Sequence, residues 1–521
     1  MALGRSLILR SPRSGRLEGR TTAIQHLDQW PESVSAQPAV LDYRALAAAA
    51  VAALTAARLL LIGLHPAGLY PDEAQYWFWA QTPALGYYSK PPLIAWVIAL
   101  TTGWFGDGEF AVRLSAPLLH AATAGFVFGI AARLYDRRTA FWAALAYASL
   151  PGVSLSAFLI STDAVLLPCW AAALYAFLRA REPEGTRWWA AAGLAAGLGL
   201  LAKYAMAYWL LSGLAFLLLV RSERRHLPGF LAAAVLALLI WLPNLWWNWS
   251  HGFVSLLHVR DNAAIGGPAL HPRAFAEFSL SQFAVFGPLF FAGLIAMVAR
   301  PRALAEPRAR LLAAFALPTL AMMLSVSALS RAEPNWAAPT YVSATVLVVA
   351  WALEAGWGRA LIVAVALDLA AGAAVLCGTE ALAAAGVAVP AKYDPLHRLR
   401  GWRGLGERVG AELAAHPGLR LMADDRELLA ALVYYVRPHP LGAVHWSVIP
   451  GIKDQWLLNN NIENHRGEDF LAVTEHGLVG QMRQNFTELT SLSTITTATG
   501  PGGGRTYEIW IARGYRGALS H

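Results

Sequence analysis

Long apolar runs recur between residues 46 and 378, and they constrain the fold more than any other feature of the chain. A helix needs about 20 apolar residues to cross the ~30 Å hydrocarbon layer of a membrane, and the chain holds roughly eleven such runs. They span approximately 46–65, 112–132, 139–155, 160–179, 188–203, 204–220, 228–246, 281–299, 311–329, 337–353 and 359–378. The pattern predicts a mainly α-helical, polytopic membrane protein with about eleven transmembrane helices.

The composition agrees with a membrane protein. Of the 521 residues, 57% are hydrophobic and 14% are charged. Soluble globular chains contain about 45–50% apolar and about 25% charged residues. Soluble domains could not bury this apolar excess, because their surfaces need more charge than the chain contains. Cys169 and Cys377 lie in apolar stretches, where two buried thiols are a simpler interpretation than a disulfide or a metal pair.

The basic residues predict how the chain is oriented in the membrane. Cytoplasmic loops of membrane proteins are enriched in Lys and Arg. With the N-terminus inside, the inner loops hold the arginine clusters at 133–138, 179–187, 221–225 and 300–310. We therefore expect a cytoplasmic N-terminus and a C-terminus on the outer face. The net charge of +8 is then a topology signal, and no nucleic-acid partner is expected because the basic residues do not cluster on one soluble face.

The chain divides into three predicted parts. Residues 1–45 lack the apolar core of a secretory signal peptide and are expected to form a cytoplasmic tail. Residues 46–379 form the membrane domain, with a first outer loop at 66–111. From residue 380 polar residues return. We expect residues 380–521 to form a small periplasmic α/β domain.

Short patterns in the last part predict its elements. Leu419–Met422, Phe470–Thr474 and Tyr507–Ile511 are predicted strands, and Asp425–Tyr435 is a predicted helix. Gly502–Gly504 is interpreted as a hairpin turn, since no Lys-Ser or Lys-Thr follows it as in a phosphate-binding loop.

The first outer loop carries two adjacent acids, Asp72 and Glu73, directly after the first apolar run. A carboxylate beside hydrocarbon is costly and needs a partner. The predicted topology puts Lys90, Arg113 and Lys203 on the same side of the membrane. A carboxylate can accept the proton of a hydroxyl, while Lys or Arg can stabilise charge on a phosphate leaving group. The combination indicates group transfer from a lipid phosphate.

Six ordered motifs resemble those of the family 39 and family 83 glycosyltransferases. They are Asp72-Glu73, Lys90-Pro91-Pro92, Arg113-Leu114, Ser161-Thr162-Asp163, Leu201-Ala202-Lys203-Tyr204 and Glu333-Pro334-Asn335-Trp336. These polytopic enzymes have the GT-C fold and include bacterial aminoarabinose and galacturonic acid transferases and protein mannosyltransferases. The resemblance covers roughly residues 45–345 and implies that residues 46–379 form a GT-C catalytic domain.

The resemblance also implies roles for the matching residues. Asp72 matches the catalytic base, and Glu73 its neighbouring acid. Lys90 matches the lysine that faces the lipid phosphate, and Arg113 and Lys203 are expected to help bind this phosphate. The expected substrate-binding residues are Asp163, Tyr87, Tyr88 and Asn335.

The chain departs from the aminoarabinose transferases at two positions, which concern metal binding and the donor sugar. Aminoarabinose transferases carry a metal-associated acid before the Lys-Pro-Pro lysine and an arginine two residues after the acid pair. This chain has Ser89 and Gln75 there. Because the GT-C fold does not in general need a metal, we expect no required cofactor, with a divalent metal as the alternative. Aminoarabinose as the donor sugar is also put in doubt.

Several other residues allow two interpretations. His251 and His258 are either solvated loop histidines or contacts to a phosphate or metal. Residues 424–427 are either a solvated helix start or a cover over the catalytic cleft. Arg58 and Asp368 lie inside apolar runs, where pairing or snorkelling and function are both plausible reasons.

The sequence therefore predicts an inverting glycosyltransferase of a bacterial inner membrane. It would move a sugar from a polyprenyl-phosphate donor to a hydroxyl of lipid A or lipopolysaccharide core, on the outer face. The alternatives are a protein O-mannosyltransferase-like enzyme and a transporter of lipid-linked sugar. A transporter should show internal repeats and broken helices at the bilayer midplane, and no convincing repeat is visible in the sequence.

Overall fold

The computed structural model describes residues 41–263, 270–449, 451–475 and 477–517. The chain from Tyr43 onward forms one compact unit. Up to residue 263 the α-helices are α1 (Tyr43–Leu64), α2 (Pro71–Ala80), α3 (Leu93–Phe105), α4 (Glu109–Arg113), α5 (Ser115–Leu134), α6 (Arg137–Ser149), α7 (Pro151–Phe158), α8 (Thr162–Ala180), α9 (Trp188–Ala202), α10 (Ala207–Leu219), α11 (Leu227–Ser250) and α12 (Val254–Ala263). After residue 270 they are α13 (Pro272–Val285), α14 (Pro288–Val298), α15 (Pro307–Leu329), α16 (Thr340–Glu354), α17 (Gly358–Ala384), α18 (Trp402–Ala415), α19 (Arg426–Tyr435), α20 (Gln455–Asn459) and α21 (Val479–Asn485).

Within the described ranges, six helical segments are long and apolar enough to cross a membrane. They are Tyr43–Leu64, Glu109–Leu134, Thr162–Ala180, Arg221–Ser250, Pro307–Leu329 and Gly358–Ala384. Two bent pairs also qualify when each is taken as one span, namely α6 with α7, bent by 58°, and α13 with α14, bent by 117°. The other three predicted apolar runs coincide with the shorter helices α9, α10 and α16. The predicted helices are therefore present, while eleven membrane crossings stay a prediction.

Local sequence explains where these helices begin and bend. Asp136 caps α6 by accepting the Thr139 N–H at 2.7 Å, as expected for an acid at a helix N-terminus. Pro151 starts α7 directly after the bend, because a proline cannot continue the hydrogen bonding of α6. At the second bend Gly287 takes a φ of +82°, a conformation that favours glycine.

Helix α8 lies at the centre of the helical region. It is buried on nearly every face and packs against α5 and α9. Such all-round burial suits its almost wholly apolar sequence. The N-terminus of α8 carries Asp163 in its first turn, so this end of the helical core holds a charged side chain.

The end of the described chain forms a five-stranded sheet. Its strands are β1 (Arg420–Ala423), β2 (Val444–His445), β3 (Phe470–Thr474), β4 (Phe486–Gly500) and β5 (Gly503–Tyr515). Their order is β2-β1-β3-β5-β4. Strand β1 pairs in parallel with β2 and β3, whereas β5 pairs in antiparallel with β3 and β4.

Most predicted elements of this α/β region are confirmed. Strands β1, β3 and β5 and helix α19 lie at the predicted positions, and Gly500 pairs with Gly503 across the predicted β4–β5 turn. Strands β2 and β4 were not predicted. The limits of the predicted domains, at residues 45 and 380, stay predictions.

The prediction of a loop at 66–111 was incomplete, because this segment contains α2, α3 and α4. Helix α2 packs against α19 of the α/β region. At the end of α19, the Tyr435 hydroxyl accepts the Leu69 N–H at 2.6 Å and donates to Glu109 Oε1 at 2.6 Å. These contacts hold the α/β region against the segment that carries the predicted catalytic acids.

Candidate functional site

Asp72 lies in the first turn of α2 and forms an ion pair with Arg426. Asp72 Oδ1 accepts a hydrogen bond from Arg426 Nη1 at 2.9 Å, and the same nitrogen donates to Gln75 Oε1 at 2.7 Å. The side chains of Asp72 and Arg426 are 42% and 33% exposed. Asp425 fixes Arg426 at the start of α19, because its carboxylate caps this helix. The predicted base is thus paired with a cation from the α/β region.

Asp163 forms a second ion pair, with Lys203, and also binds Asn335. Its Oδ1 lies 2.7 Å from Lys203 Nζ, and its Oδ2 accepts the Asn335 amide at 2.6 Å. Lys203 follows the last residue of α9 in an extended conformation, which turns it away from the helix. Asn335 lies in a short 3₁₀ turn before α16. Three distant segments therefore meet at the N-terminus of α8.

Lys90 is close enough to both pairs for their charges to act on it. Burial lowers the pKa of the Lys90 ammonium, Lys203 and Arg426 lower it further, and Asp72 and Asp163 oppose the decrease. Within the described residues its Nζ makes no hydrogen bond or ion pair. We call Asp72, Lys90, Asp163, Lys203 and Arg426 the charged cluster. Three cations and two carboxylates form this cluster, and Lys90 is the cation left for an anionic ligand.

The segment before Lys90 is held by close packing. The Tyr87 N–H donates to the Lys90 carbonyl at 3.1 Å, which closes a turn. A Cβ atom on Gly86 would lie 2.4 Å from Trp247 Cε3, so only glycine fits there. Asn244 donates to the Leu85 carbonyl at 2.8 Å. Helix α11 thereby fixes the position of Lys90.

Glu73 and Arg113 form a separate buried ion pair, and their predicted roles beside the substrate stay predictions. Arg113 Nη2 lies 2.6 Å from Glu73 Oε2, and both side chains are 1% exposed. Glu73 also accepts the Tyr70 and Ile160 N–H groups, and Arg113 also donates to the Gly68 carbonyl. With these partners, neither side chain faces the charged cluster.

Tyr87 and Tyr88, the two tyrosines predicted to contact the substrate, differ in exposure. Its ring is buried and stacked on Trp79 with centroids 4.7 Å apart, and its hydroxyl donates to the Trp79 carbonyl at 3.0 Å. Tyr87 is therefore part of the core. Tyr88 is half-buried, and its ring lies 5.2 Å from that of His258, so Tyr88 stays a candidate.

His251 and His258 differ in position. His251 stacks on Trp247 with ring centroids 4.2 Å apart. His258 lies on α12 near the cluster. Burial lowers the pKa of His258 to about 4, and Lys90 and Arg426 also lower it. His258 is therefore neutral at pH 7 and adds no charge to the site.

The two charges inside apolar runs have different surroundings. Arg58 donates to the Ala148 carbonyl and to Ser154 Oγ, which supports the pairing interpretation. The buried carboxylate of Asp368 has no hydrogen-bond partner among the described residues. It packs against Gly287, where a Cβ atom would lie 2.3 Å from its Oδ1.

The described residues do not assemble a metal site. Within the described ranges, no group of three or more His, Cys, Asp or Glu side chains could hold an ion. Asp163, the acid at the start of α8, already binds Lys203 and Asn335. Activity without a cofactor stays a prediction.

Four members of the charged cluster were predicted from the sequence, whereas the pairing role of Arg426 was not. The interpretation of residues 424–427 as a solvated helix start was the simpler one. The alternative, that this segment covers the site, agrees with the contact between Arg426 and Asp72. An available signal was the arginine placed directly after a capping acid at the start of an amphipathic helix.

Sequence comparisons show that this chain is similar to known glycosyltransferases. Residues 89–247 match the sequence model of a family described as dolichyl-phosphate-mannose-protein mannosyltransferase. A lipid A galacturonosyltransferase of Rhizobium johnstonii is 35% identical over 306 residues, which cover 58% of this chain and 64% of that protein. An undecaprenyl phosphate-alpha-4-amino-4-deoxy-L-arabinose arabinosyl transferase of Pseudomonas aeruginosa is 33% identical over 204 residues, 35% of this chain and 37% of that protein. The match spans less than two thirds of the length of each relative.

Structural comparison shows the fold. ArnT from Cupriavidus metallidurans in the apo state has a TM-score of 0.58 and 19% identity, with 89% of this chain and 98% of that chain covered. The same protein bound to undecaprenyl phosphate has a TM-score of 0.58 and 18% identity. The fold is that of a GT-C glycosyltransferase. The resemblance predicted from the sequence is confirmed, since the chain is homologous to lipid A galacturonosyltransferase and to aminoarabinose transferases.

Proposed function

We propose that this protein is an inverting glycosyltransferase that moves a sugar from a polyprenyl-phosphate donor to a hydroxyl of lipid A or another envelope glycolipid. The observation that carries the proposal is Lys90, which is partly buried near two ion pairs and has no hydrogen-bond or ion-pair partner among the described residues. A buried ammonium group without a counter-ion is costly. A donor phosphate would supply that counter-ion.

In the proposed reaction Asp72 is the general base. Its carboxylate takes the proton of the acceptor hydroxyl, and the acceptor oxygen attacks the anomeric carbon of the donor sugar. The bond from this carbon to the phosphate oxygen breaks, and the polyprenyl phosphate leaves with the electron pair. Lys90 stabilises the negative charge of the leaving phosphate. Attack opposite the phosphate inverts the anomeric configuration, and no sugar-enzyme bond is formed.

The remaining residues of the site would position the substrates and the proposed base. Asp163 and Asn335 lie together at the start of α8, where they would bind sugar hydroxyls. Lys203 would make a second contact to the donor by leaving Asp163 and binding the donor phosphate. Glu73 and Arg113 would position Asp72, because their buried pair fixes the beginning of α2.

The charges favour an acidic donor sugar over an amino sugar. Three cations and two carboxylates form the cluster, so its net charge is positive. A polyprenyl-phosphate uronic acid carries two negative charges, whereas an aminoarabinose donor carries one charge of each sign. Electrostatic attraction is therefore stronger for the uronic acid donor. The galacturonosyltransferase named above is a relative with such a sugar.

We propose the inner membrane of a bacterium as the location, with about eleven crossings. The N-terminus would lie in the cytoplasm, and the α/β region would lie on the periplasmic side above the charged cluster. The arginine-rich loops support this orientation. No metal or other cofactor is required in this proposal, because Lys90 and Lys203 supply the positive charge.

A reconstitution assay tests the proposed function. The purified protein in liposomes receives labelled undecaprenyl phosphate-galacturonic acid with lipid A as the acceptor. We expect labelled lipid A with the wild type and with Lys392→Met, an exposed lysine outside the cluster, and loss of labelling with Lys90→Met. Label in an added protein acceptor instead would favour the mannosyltransferase-like alternative. Movement of the donor across the bilayer without transfer would favour a transporter.

A further inference from the structure

Arg426 enters the charged cluster from a part of the chain outside the motifs shared with the glycosyltransferase families. It lies 354 positions after Asp72 and still contacts this carboxylate at 2.9 Å. Both ends of α19 are anchored, since Asp425 caps its start and the Tyr435 hydroxyl bonds to Leu69 and Glu109 at its end. The position of Arg426 over α2 is therefore built into the packing of the α/β region.

The pair of Asp72 and Arg426 can exchange partners at low cost. Both side chains are about one third or more exposed, and a single hydrogen bond joins them. The neighbouring pair of Glu73 and Arg113 is instead buried and joined by several hydrogen bonds. Exposed ion pairs stabilise little, whereas breaking a buried pair is costly. Of these two pairs, a ligand would open the one that contains Asp72.

The guanidinium of Arg426 has room for a carboxylate. Nη1 donates to Asp72 and Gln75, while Nη2 makes only a 3.5 Å contact to Glu427. A guanidinium group binds a carboxylate best through two parallel hydrogen bonds, and Asp72 does not provide both. An anionic group on a ligand could provide them.

The pairing also affects the proposed base. While Asp72 is bound to Arg426, its Oδ1 already accepts a hydrogen bond from Nη1, so this oxygen is not open to an acceptor hydroxyl. Any ligand group that draws Arg426 away from Asp72 would open this oxygen to the acceptor hydroxyl.

We infer that Arg426 recognises the carboxylate of the donor's uronic acid sugar, and that by leaving Asp72 for this carboxylate it frees Asp72 to act as the base. The inference rests on the proposed function and deepens it. Arg426 is thus a specificity-determining residue supplied by the α/β region. It couples the charge of the sugar to activation of the enzyme.

The test compares two donors that differ in one group, undecaprenyl phosphate-galacturonic acid and undecaprenyl phosphate-galactose. For the wild type we expect kcat/KM to be at least about 10-fold higher for the uronic acid donor, because a site built to pair a charged group discriminates against its absence. In Arg426→Gln we expect this ratio to fall about 10-fold or more, because the variant loses the guanidinium that would pair with the carboxylate of the uronic acid donor and the galactose donor has no such carboxylate. Arg426→Lys keeps the positive charge but cannot donate two parallel hydrogen bonds to a carboxylate. Its ratio of kcat/KM for the two donors should therefore be intermediate.

Arg420→Gln is the matched control, because Arg420 is a partly exposed arginine of the same region that pairs with Glu468. It should keep the wild-type ratio. An equal loss for both donors in Arg426→Gln would contradict the inference and identify Arg426 as a phosphate contact or a structural residue. Equal use of the two donors by the wild type would also contradict it while leaving the proposed function intact. Failure of the wild type with every polyprenyl-phosphate donor would overturn the proposed function itself.

Discussion

At the scale of single residues, Lys90 determines how the site should respond to pH. Burial is the largest cause of its lowered pKa, followed by the charge of Lys203. An exposed lysine has a pKa of about 10.4. Lys90 should therefore lose its proton at a lower pH than an exposed lysine. The neutral amine cannot balance the charge of the phosphate.

We predict that kcat/KM for the donor falls on the alkaline side as the pH rises through the lowered pKa of Lys90. In Lys90→Arg the guanidinium stays charged, so this decrease should move to higher pH although the rate is lower. A pH profile of both proteins measures the shift. Superimposable alkaline limbs would show that Lys90 does not cause the decrease.

The buried pair of Glu73 and Arg113 gives a prediction about stability. Arg113→Met leaves the Glu73 carboxylate buried without its cation, which should lower the free energy of unfolding by about 3–5 kcal/mol. Chemical denaturation in detergent measures this change. Arg133→Met is the control, because Arg133 pairs with Glu182 in a more exposed position, and there the loss should stay below about 1 kcal/mol. Equal losses in the two variants would contradict the structural role of the buried pair.

The sequence predicts which residues belong to the site, but it does not predict which residues they contact. Asp72 and Glu73 are adjacent in the sequence, yet successive side chains on a helix differ in direction by about 100°. Asp72 therefore faces the cluster while Glu73 faces the core. The stacking of Tyr87 on Trp79 was not predictable for a related reason, since an aromatic ring in a loop suits both a ligand contact and a buried stack. Only the packing of α2 against α3 and α19 distinguishes these cases.

At the scale of elements, the turn that carries Lys90 depends on contact between Gly86 and helix α11. A methyl group on Gly86 would meet the ring of Trp247 at 2.4 Å and the amide of Asn244 at 2.8 Å. The turn would have to move, and Lys90 would move with it.

We predict that Gly86→Ala raises the KM for the polyprenyl-phosphate donor by about 10-fold or more, because small displacements of a positioning group are costly. Steady-state kinetics in liposomes measures the effect. Gly103→Ala in α3 is the control, since a Cβ atom there meets no atom within 4 Å and alanine favours a helix. A Gly86→Ala enzyme with an unchanged KM would refute the role of this contact.

Elements with strong periodicity or long apolar runs were predictable, and short elements were not. The apolar runs and the apolar residues of strands β1, β3 and β5 carry signals in their own sequence. Helix α2 is missed because its ten residues mix acids with aromatics, and β2 because it has two residues. Both elements are stabilised by packing with distant segments, which local patterns do not report.

At the scale of the whole molecule, the charged cluster combines three regions of the chain. The segment between α1 and α4 supplies Asp72 and Lys90. The start of α8 and the end of α9 supply Asp163 and Lys203, and α19 supplies Arg426. The proposed orientation puts this cluster and the α/β region on the periplasmic side.

Cysteine labelling tests this orientation. In a background without the two native cysteines, Lys453→Cys in the α/β region should react with a membrane-impermeant maleimide in intact spheroplasts. Glu184→Cys, between α8 and α9, should react only after permeabilisation, because it lies among the arginines of a predicted inner loop. Both side chains are exposed, so access should depend on the side of the membrane. The reverse pattern would overturn the proposed topology.

The most direct measurement of the central claim is single-turnover transfer from labelled undecaprenyl phosphate-galacturonic acid to lipid A by the wild type, Asp72→Asn and Asp107→Asn. Asp107 is a carboxylate of the same outer segment that accepts a hydrogen bond from Trp77 and lies outside the cluster. We predict that Asp72→Asn lowers the rate by about 10²–10⁴-fold, as expected for loss of a general base, and that Asp107→Asn transfers at close to the wild-type rate. Full activity in Asp72→Asn would remove Asp72 from the base role and contradict the proposed mechanism.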